Sequence, residues 1–135
     1  MPGGVLYQDD RVFATHGSFD GADTGYPGVL FVEPRRHVPG MAGLTRAEAE
    51  RIGWVTSRLA RALEACTDAE RIYVEALGHH VSHLHVWLIP RYPDAPEHLW
   101  GVQLVRGPHA RRASEAQVEA LCDRLREHLA SEDAD

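Results

Sequence analysis

The chain has 135 residues, one domain by length and long enough to bury a real hydrophobic core. Its formal net charge of −6 excludes a non-specific nucleic-acid binder, which needs a basic face, but not a protein that holds a small phosphorylated ligand. All 14 basic residues are arginine, so a cationic side chain at a phosphate has to be Arg, and no Lys can serve as nucleophile or Schiff base. No apolar run approaches the roughly 18 residues of a membrane span, and no membrane partner is expected. The opening MPGGVLYQDD lacks the basic patch and apolar core of an export signal. Cys66 and Cys122 are not spaced as CxxC and read as reduced thiols of a cytoplasmic protein.

In chain order, Val5–Tyr7 and Arg11–Thr15 alternate around Asp9-Asp10 and read as a hairpin. Residues 17–28, rich in Gly and Asp, form a loop. Gly28–Glu33 is a mostly apolar run that predicts a central strand stopped by Pro34, and Arg35-Arg36-His37-Val38 is its exit loop. Thr45 and Glu48 make a T-x-x-E capping box. The helix behind it should reach about Cys66, with Ile52, Val55, Leu59 and Leu63 inward and Arg46, Glu50, Arg58 and Arg61 on a solvated surface. Arg71–Leu77 and Val81–Ile89 read as an antiparallel pair of strands. Residues 91–113 are broken by Pro and Gly and carry Trp100 and the cluster Arg106, Arg111 and Arg112. Ser114 and Gln117 form a second capping box, followed by a helix that turns Val118, Leu121, Leu125 and Leu129 inward. Residues 131–135 are an acidic tail expected to fray. The whole reads as one α+β domain over 1–135, with a mostly antiparallel sheet.

The stretch GHHVSHLHVWLIPR, Gly78 to Arg91, holds four of the nine histidines. In a strand, His83, His85 and Trp87 share one face and Leu84, Val86 and Leu88 the other. Three chemistries fit. The histidines could be hydrogen-bonded and inert. They could hold a metal with a third ligand from His79, His80, His37 or Glu75, although nothing fixes that third ligand. Or a neutral imidazole could attack phosphorus, given an acceptor for its far nitrogen and donors for the phosphoryl oxygens.

Gly78-x-x-Val81, then His83-Leu84-His85-Val86, then Leu88-Ile89-Pro90-Arg91 resembles the signature of the histidine-triad (HIT) nucleotide-binding family, His-φ-His-φ-His-φ-φ with φ apolar. Gly28–Val32 followed by Pro34-Arg35-Arg36-His37-Val38, and the Leu44-Thr45 helix start with Glu48, are similar to further landmarks of that family. The resemblance covers most of residues 4–93. It implies a HIT-like α+β fold, an antiparallel sheet of about five strands with two main helices, usually as a homodimer. It implies a nucleotide or nucleotide conjugate as ligand; no cofactor or metal is expected in this chain. His85 would be the nucleophile that carries a nucleotidyl group, and His83 would orient it. His79, His80, His37, Trp87 and Arg91 would line the substrate and phosphate site.

Two features depart from the pattern. The third triad position holds Trp87, whose one indole N–H can neither accept nor deliver a proton in that role. The hexose-phosphate uridylyltransferase branch also lacks a histidine there and transfers rather than hydrolyses. The family's frequent N-terminal cysteine zinc site has no counterpart. A frame with His83 as the middle histidine places Pro90-Arg91 two residues late, so the frame with His85 in the middle is preferred. The expected activity is hydrolysis or transfer of a nucleotidyl group through His85. The alternative is a nucleotide-binding relative with lost or diverted catalysis, in which Trp87 stacks on a flat substrate.

Overall fold

The structure is a computed structural model that describes residues 3–17, 24–76, 82–106 and 110–134. Strands β1 (Val5–Gln8) and β2 (Val12–His16) form the expected hairpin. The Asp9 carboxylate accepts from the backbone N–H groups of Arg11 and Val12 and so shapes its turn. After the short β3 (Thr24–Gly25), β4 (Leu30–Pro34) pairs antiparallel with β2. Helix α1 (Arg46–Cys66) starts at the expected box: Thr45 Oγ1 accepts from the Glu48 amide, and Glu48 returns a bond to the Thr45 amide. Strands β5 (Arg71–Ala76) and β6 (Val86–Arg91) are an antiparallel pair. β7 (Ala113–Ser114) pairs with β3 and leads into α2 (Glu115–Ala134), where Ser114 and Gln117 exchange the bonds of the second box.

The main sheet has five antiparallel strands in the order β1-β2-β4-β6-β5. Both helices cover one face of it. Val12, Ala14, Leu30, Val32, Leu84, Val86 and Leu88 meet Ile52, Val55, Leu59 and Leu63 of α1 and Val118, Leu121, Leu125 and Leu129 of α2. Full burial of a Leu or Val side chain of this kind stabilises by about 1.5–3 kcal/mol. The opposite face is only partly covered. Tyr26, Val29, Tyr92 and Leu104 close over Ile89 at one end, where 3-10 turns at Glu97–Leu99 and Val102–Val105 fold back. Gly28 belongs to that closure: its φ is +87°, and a Cβ there would lie 2.8 Å from Pro90 Cγ.

Three expectations are corrected. The histidine strand begins at Val86 rather than Val81, so His83 and His85 lie in the segment that leads into it. The ladder shortens because β4 ends at Pro34, which has no N–H to donate, and the exit loop takes over as the partner. Leu84 N–H donates to Val38 O at 2.7 Å. The alternation persists without the ladder: Leu84, Val86 and Leu88 are buried, while His83, His85 and Trp87 are half-buried. Arg58 is not a solvated surface residue but is 6% exposed, and residues 131–134 are helical rather than frayed. The two corrections share a cause. Arg58 donates to Asp133 at 2.6 Å and to the Leu129 carbonyl at 3.1 Å, and Arg61 donates to Glu132 at 2.6 Å.

Candidate functional site

The site lies on the face away from the helices, where β4 ends and β6 begins. Their register pairs Leu30 with Leu88, Phe31 with Trp87 and Val32 with Val86. Continued by one residue, it sets Glu33 opposite His85. Period-two alternation then puts Phe31, Glu33, His85 and Trp87 on one face. The contacts agree: the Phe31 ring is edge-on to both His85, at 5.7 Å, and Trp87, at 4.8 Å.

Each imidazole has defined partners. The His85 Nδ1 lies 2.7 Å from the His83 carbonyl, which can only accept, so the proton on that side belongs to Nδ1. Its Nε2 therefore faces the other way, toward Glu33. At His83 the backbone takes both nitrogens. Val38 N–H donates to Nδ1 at 3.4 Å, so Nε2 carries the proton and donates to the Pro34 carbonyl at 3.0 Å. The exposed His37 ring stacks on His83 with centroids 5.5 Å apart and planes 18° from parallel. Bonds from the exit loop thus orient His83, and the His83 carbonyl orients His85.

Glu33 was not singled out by sequence reasoning. Its Oε1 is 3.1 Å from His85 Nε2 and 3.8 Å from His83 Nε2, and its side chain is 13% exposed. The signal was available: a carboxylate at the end of an apolar central strand is costly unless something pairs with it. Phe31, edge-on to both His85 and Trp87, lies in the same strand, where the apolar run hides which face each side chain takes.

The structure brings together His83, His85, His37 and Trp87. Arg91 is not with them. It lies six residues beyond His85 along the chain, about 20 Å at a strand rise of 3.3 Å per residue. Its guanidinium sits 3.6 Å over the Trp100 ring and donates to the Tyr73 hydroxyl at 3.0 Å. Arg111 is held by Asp68 and Asp94 above the Tyr92 ring, and Arg112 by Thr24. Arg36 of the exit loop is bound to Glu48 and the Gly43 carbonyl. His79 and His80 lie outside the described residues. Among the described residues no three His, Cys, Asp or Glu side chains converge as metal ligands. His83 illustrates why, since both of its nitrogens are already bonded to backbone groups. Glu75 stands opposite Trp87 on β5.

The HIT domain matches residues 1–94, which contain every residue of this site. The chain belongs to the HIT family. Solved HIT structures share the fold at low identity. A hypothetical histidine triad nucleotide-binding protein from Sulfolobus tokodaii strain7 aligns over 97% of this chain and 86% of its own, with 17% identity and a TM-score of 0.70. A histidine triad (HIT) protein from Sinorhizobium meliloti 1021 aligns over 94% and 90%, with 23% identity and a TM-score of 0.70. A Zn-bound histidine triad family protein from Mycobacterium smegmatis aligns over 99% and 88%, with 18% identity and a TM-score of 0.68. No curated protein matches the sequence. HIT membership accounts for the five-stranded antiparallel sheet and the two helices.

Proposed function

We propose that this HIT protein hydrolyses or transfers the nucleotidyl group of a nucleoside phosphate conjugate through a covalent intermediate on His85. The observation that carries this reading is the 2.7 Å bond from His85 Nδ1 to the His83 carbonyl. A proton fixed on Nδ1 leaves the reactive lone pair on Nε2, and the carbonyl stabilises the positive ring that forms when Nε2 bonds phosphorus. In the first step the Nε2–P bond forms, and the bond from phosphorus to the leaving group breaks. In the second, water or another acceptor attacks phosphorus and releases Nε2. His83 is the positioning residue. Phe31 lies edge-on to the reacting ring and His37 stacks on His83, and the family's pattern assigns His79 and His80 to the phosphate.

Trp87 takes the place of a third histidine, so the indole gives shape and stacking where the family has proton transfer. A second reading rests on that indole. Half-buried and packed on Phe31, it offers an aromatic wall to a flat ring, which suits a nucleotide-binding protein with lost or diverted catalysis, or an enzyme of a specialised metabolite. A homodimer is supported by β5, an edge strand that exposes Val74. A cytoplasmic location is supported by the two free thiols, Cys66 and Cys122.

The test is to incubate the protein with adenosine 5′-phosphoramidate or a dinucleoside polyphosphate, quench in alkali and measure intact mass. A nucleotidyl adduct that is absent in His85→Ala is the expected result. Nucleotide binding with neither adduct nor turnover favours the binding protein, and absence of any nucleotide binding overturns both readings.

A further inference from the structure

The geometry points to Glu33 as the proton carrier of this site, the carboxyl group that serves His85 in place of a third histidine. The step rests on the nucleophilic reading of His85 above. Two observations lead to it. The proton on Nδ1 is committed to the His83 carbonyl, so a neutral His85 would turn a bare lone pair on Nε2 toward Glu33 Oε1. At 3.1 Å, two atoms that can only accept repel each other, so a second proton lies between them. The 3.1 Å contact is thus one in which a single proton is shared between Nε2 and Oε1. Trp87, the next residue on the same face, can neither hold that proton nor pass it on.

Glu33 also stands where the lone pair of Nε2 points, which is where an attacked phosphorus has to sit. A substrate must displace it. A carboxylate beside a phosphate is repelled, whereas a protonated carboxyl group donates a hydrogen bond to it. On substrate entry the shared proton therefore moves to Glu33, which turns aside and leaves Nε2 free. Attack then forms the Nε2–P bond and breaks the bond to the leaving group, which takes its proton from the Glu33 carboxyl. The restored carboxylate faces the cationic phosphoimidazole ring. In the second step it accepts the proton of the attacking water or alcohol, the Nε2–P bond breaks, and the shared proton is back in place. Protons balance over the cycle, and no further co-reactant is needed. His83, whose Nε2 is 3.8 Å from the same oxygen, donates to the Pro34 carbonyl and so does not compete for the proton.

The leaving group tests this. The amine of adenosine 5′-phosphoramidate needs a proton to depart, and the nitrophenolate of the 4-nitrophenyl ester of AMP does not. Glu33→Gln keeps size and hydrogen bonding but has no acidic proton to transfer. It should slow adduct formation from the phosphoramidate by about 10²-fold or more, the usual contribution of a positioned acid, and from the nitrophenyl ester by under about tenfold. Glu33→Asp should recover part of the phosphoramidate rate. Equal losses on both substrates, or none, overturn the proposal while leaving the His85 adduct standing. If the wild-type protein forms no adduct from either substrate, the nucleophilic reading fails, and the Glu33 step with it. The proton itself is then judged by ¹⁵N NMR at pH 7.5. A proton-bearing Nε2 on His85 that becomes a bare acceptor in Glu33→Gln sustains the shared proton, and a bare Nε2 in the wild type overturns it.

Discussion

His16 is buried at the end of β2 and used by nothing in the proposed chemistry. Its Nε2 accepts from the Gly28 amide at 2.9 Å, so Nδ1 carries the proton and donates to the Gly17 carbonyl at 2.8 Å. Burial pushes its pKa below the ordinary 6.5, against a smaller upward pull from the Gly17 carbonyl. The sign follows from linkage. Below pH 6.5 the unfolded chain binds a proton that the folded chain refuses, so this contribution is intact above pH 6.5 and is lost as pH falls from there toward the folded value. Urea unfolding at pH 7.5 and 5.5 should show a drop at the lower pH that shrinks in His16→Gln. That variant should also cost about 1–2 kcal/mol at pH 7.5, because the Gly17 carbonyl loses its donor. At the site itself, His83→Ala should remove the ring that ties the segment to Pro34 and Val38 but keep the carbonyl that holds His85. The expected result is an adduct that still forms, only more slowly, in the mass assay.

At the level of elements, the start of α1 does two jobs. Glu48 closes the capping box and also receives Arg36 from the exit loop, at 2.8 Å and 3.1 Å. The Arg36 hydrogen bond, joined by the Thr45 amide, holds its carboxyl down at about 2. Because the folded value is depressed, this contribution is present above about pH 4.5 and is lost as pH falls toward about 2. Thermal unfolding of Glu48→Gln should show a lower Tm at neutral pH and a flatter decline in acid than the parent. Thr45→Ala should cost about 1 kcal/mol of stability, by loss of the cap alone. Elements of this kind were legible because their signals are local: two capping boxes, a hairpin and a helical apolar stripe all sit within a few residues of the structure they dictate. The start of β6 was not. Alternation across His83–Leu88 describes which way side chains point, but a ladder also needs a partner backbone, and that partner stops at Pro34, 52 residues before Val86 in the chain.

The whole molecule depends on non-local pairings that spacing does not encode. β4 lies between β2 and β6, and that order alone sets Glu33 against His85 and Phe31 under Trp87. The sequence showed His83 and His85 as a reactive pair and left Glu33 hidden in an apolar run, because the register between distant strands was unknown. The two helices are likewise tied by Arg58, whose buried guanidinium needs partners from α2. The double variant Glu132→Ala/Asp133→Ala should lose about 1–3 kcal/mol in denaturant unfolding by leaving that charge underbonded. The three tryptophans are spread in a way that has a practical consequence. Trp54 and Trp100 are exposed, at 55% and 44%, while Trp87 alone shares the Phe31 ring with His85. With Trp54 and Trp100 replaced by Phe, the remaining indole becomes a single emitter beside the reacting imidazole. Its fluorescence would then follow the charge and occupancy of His85 in real time, without a label.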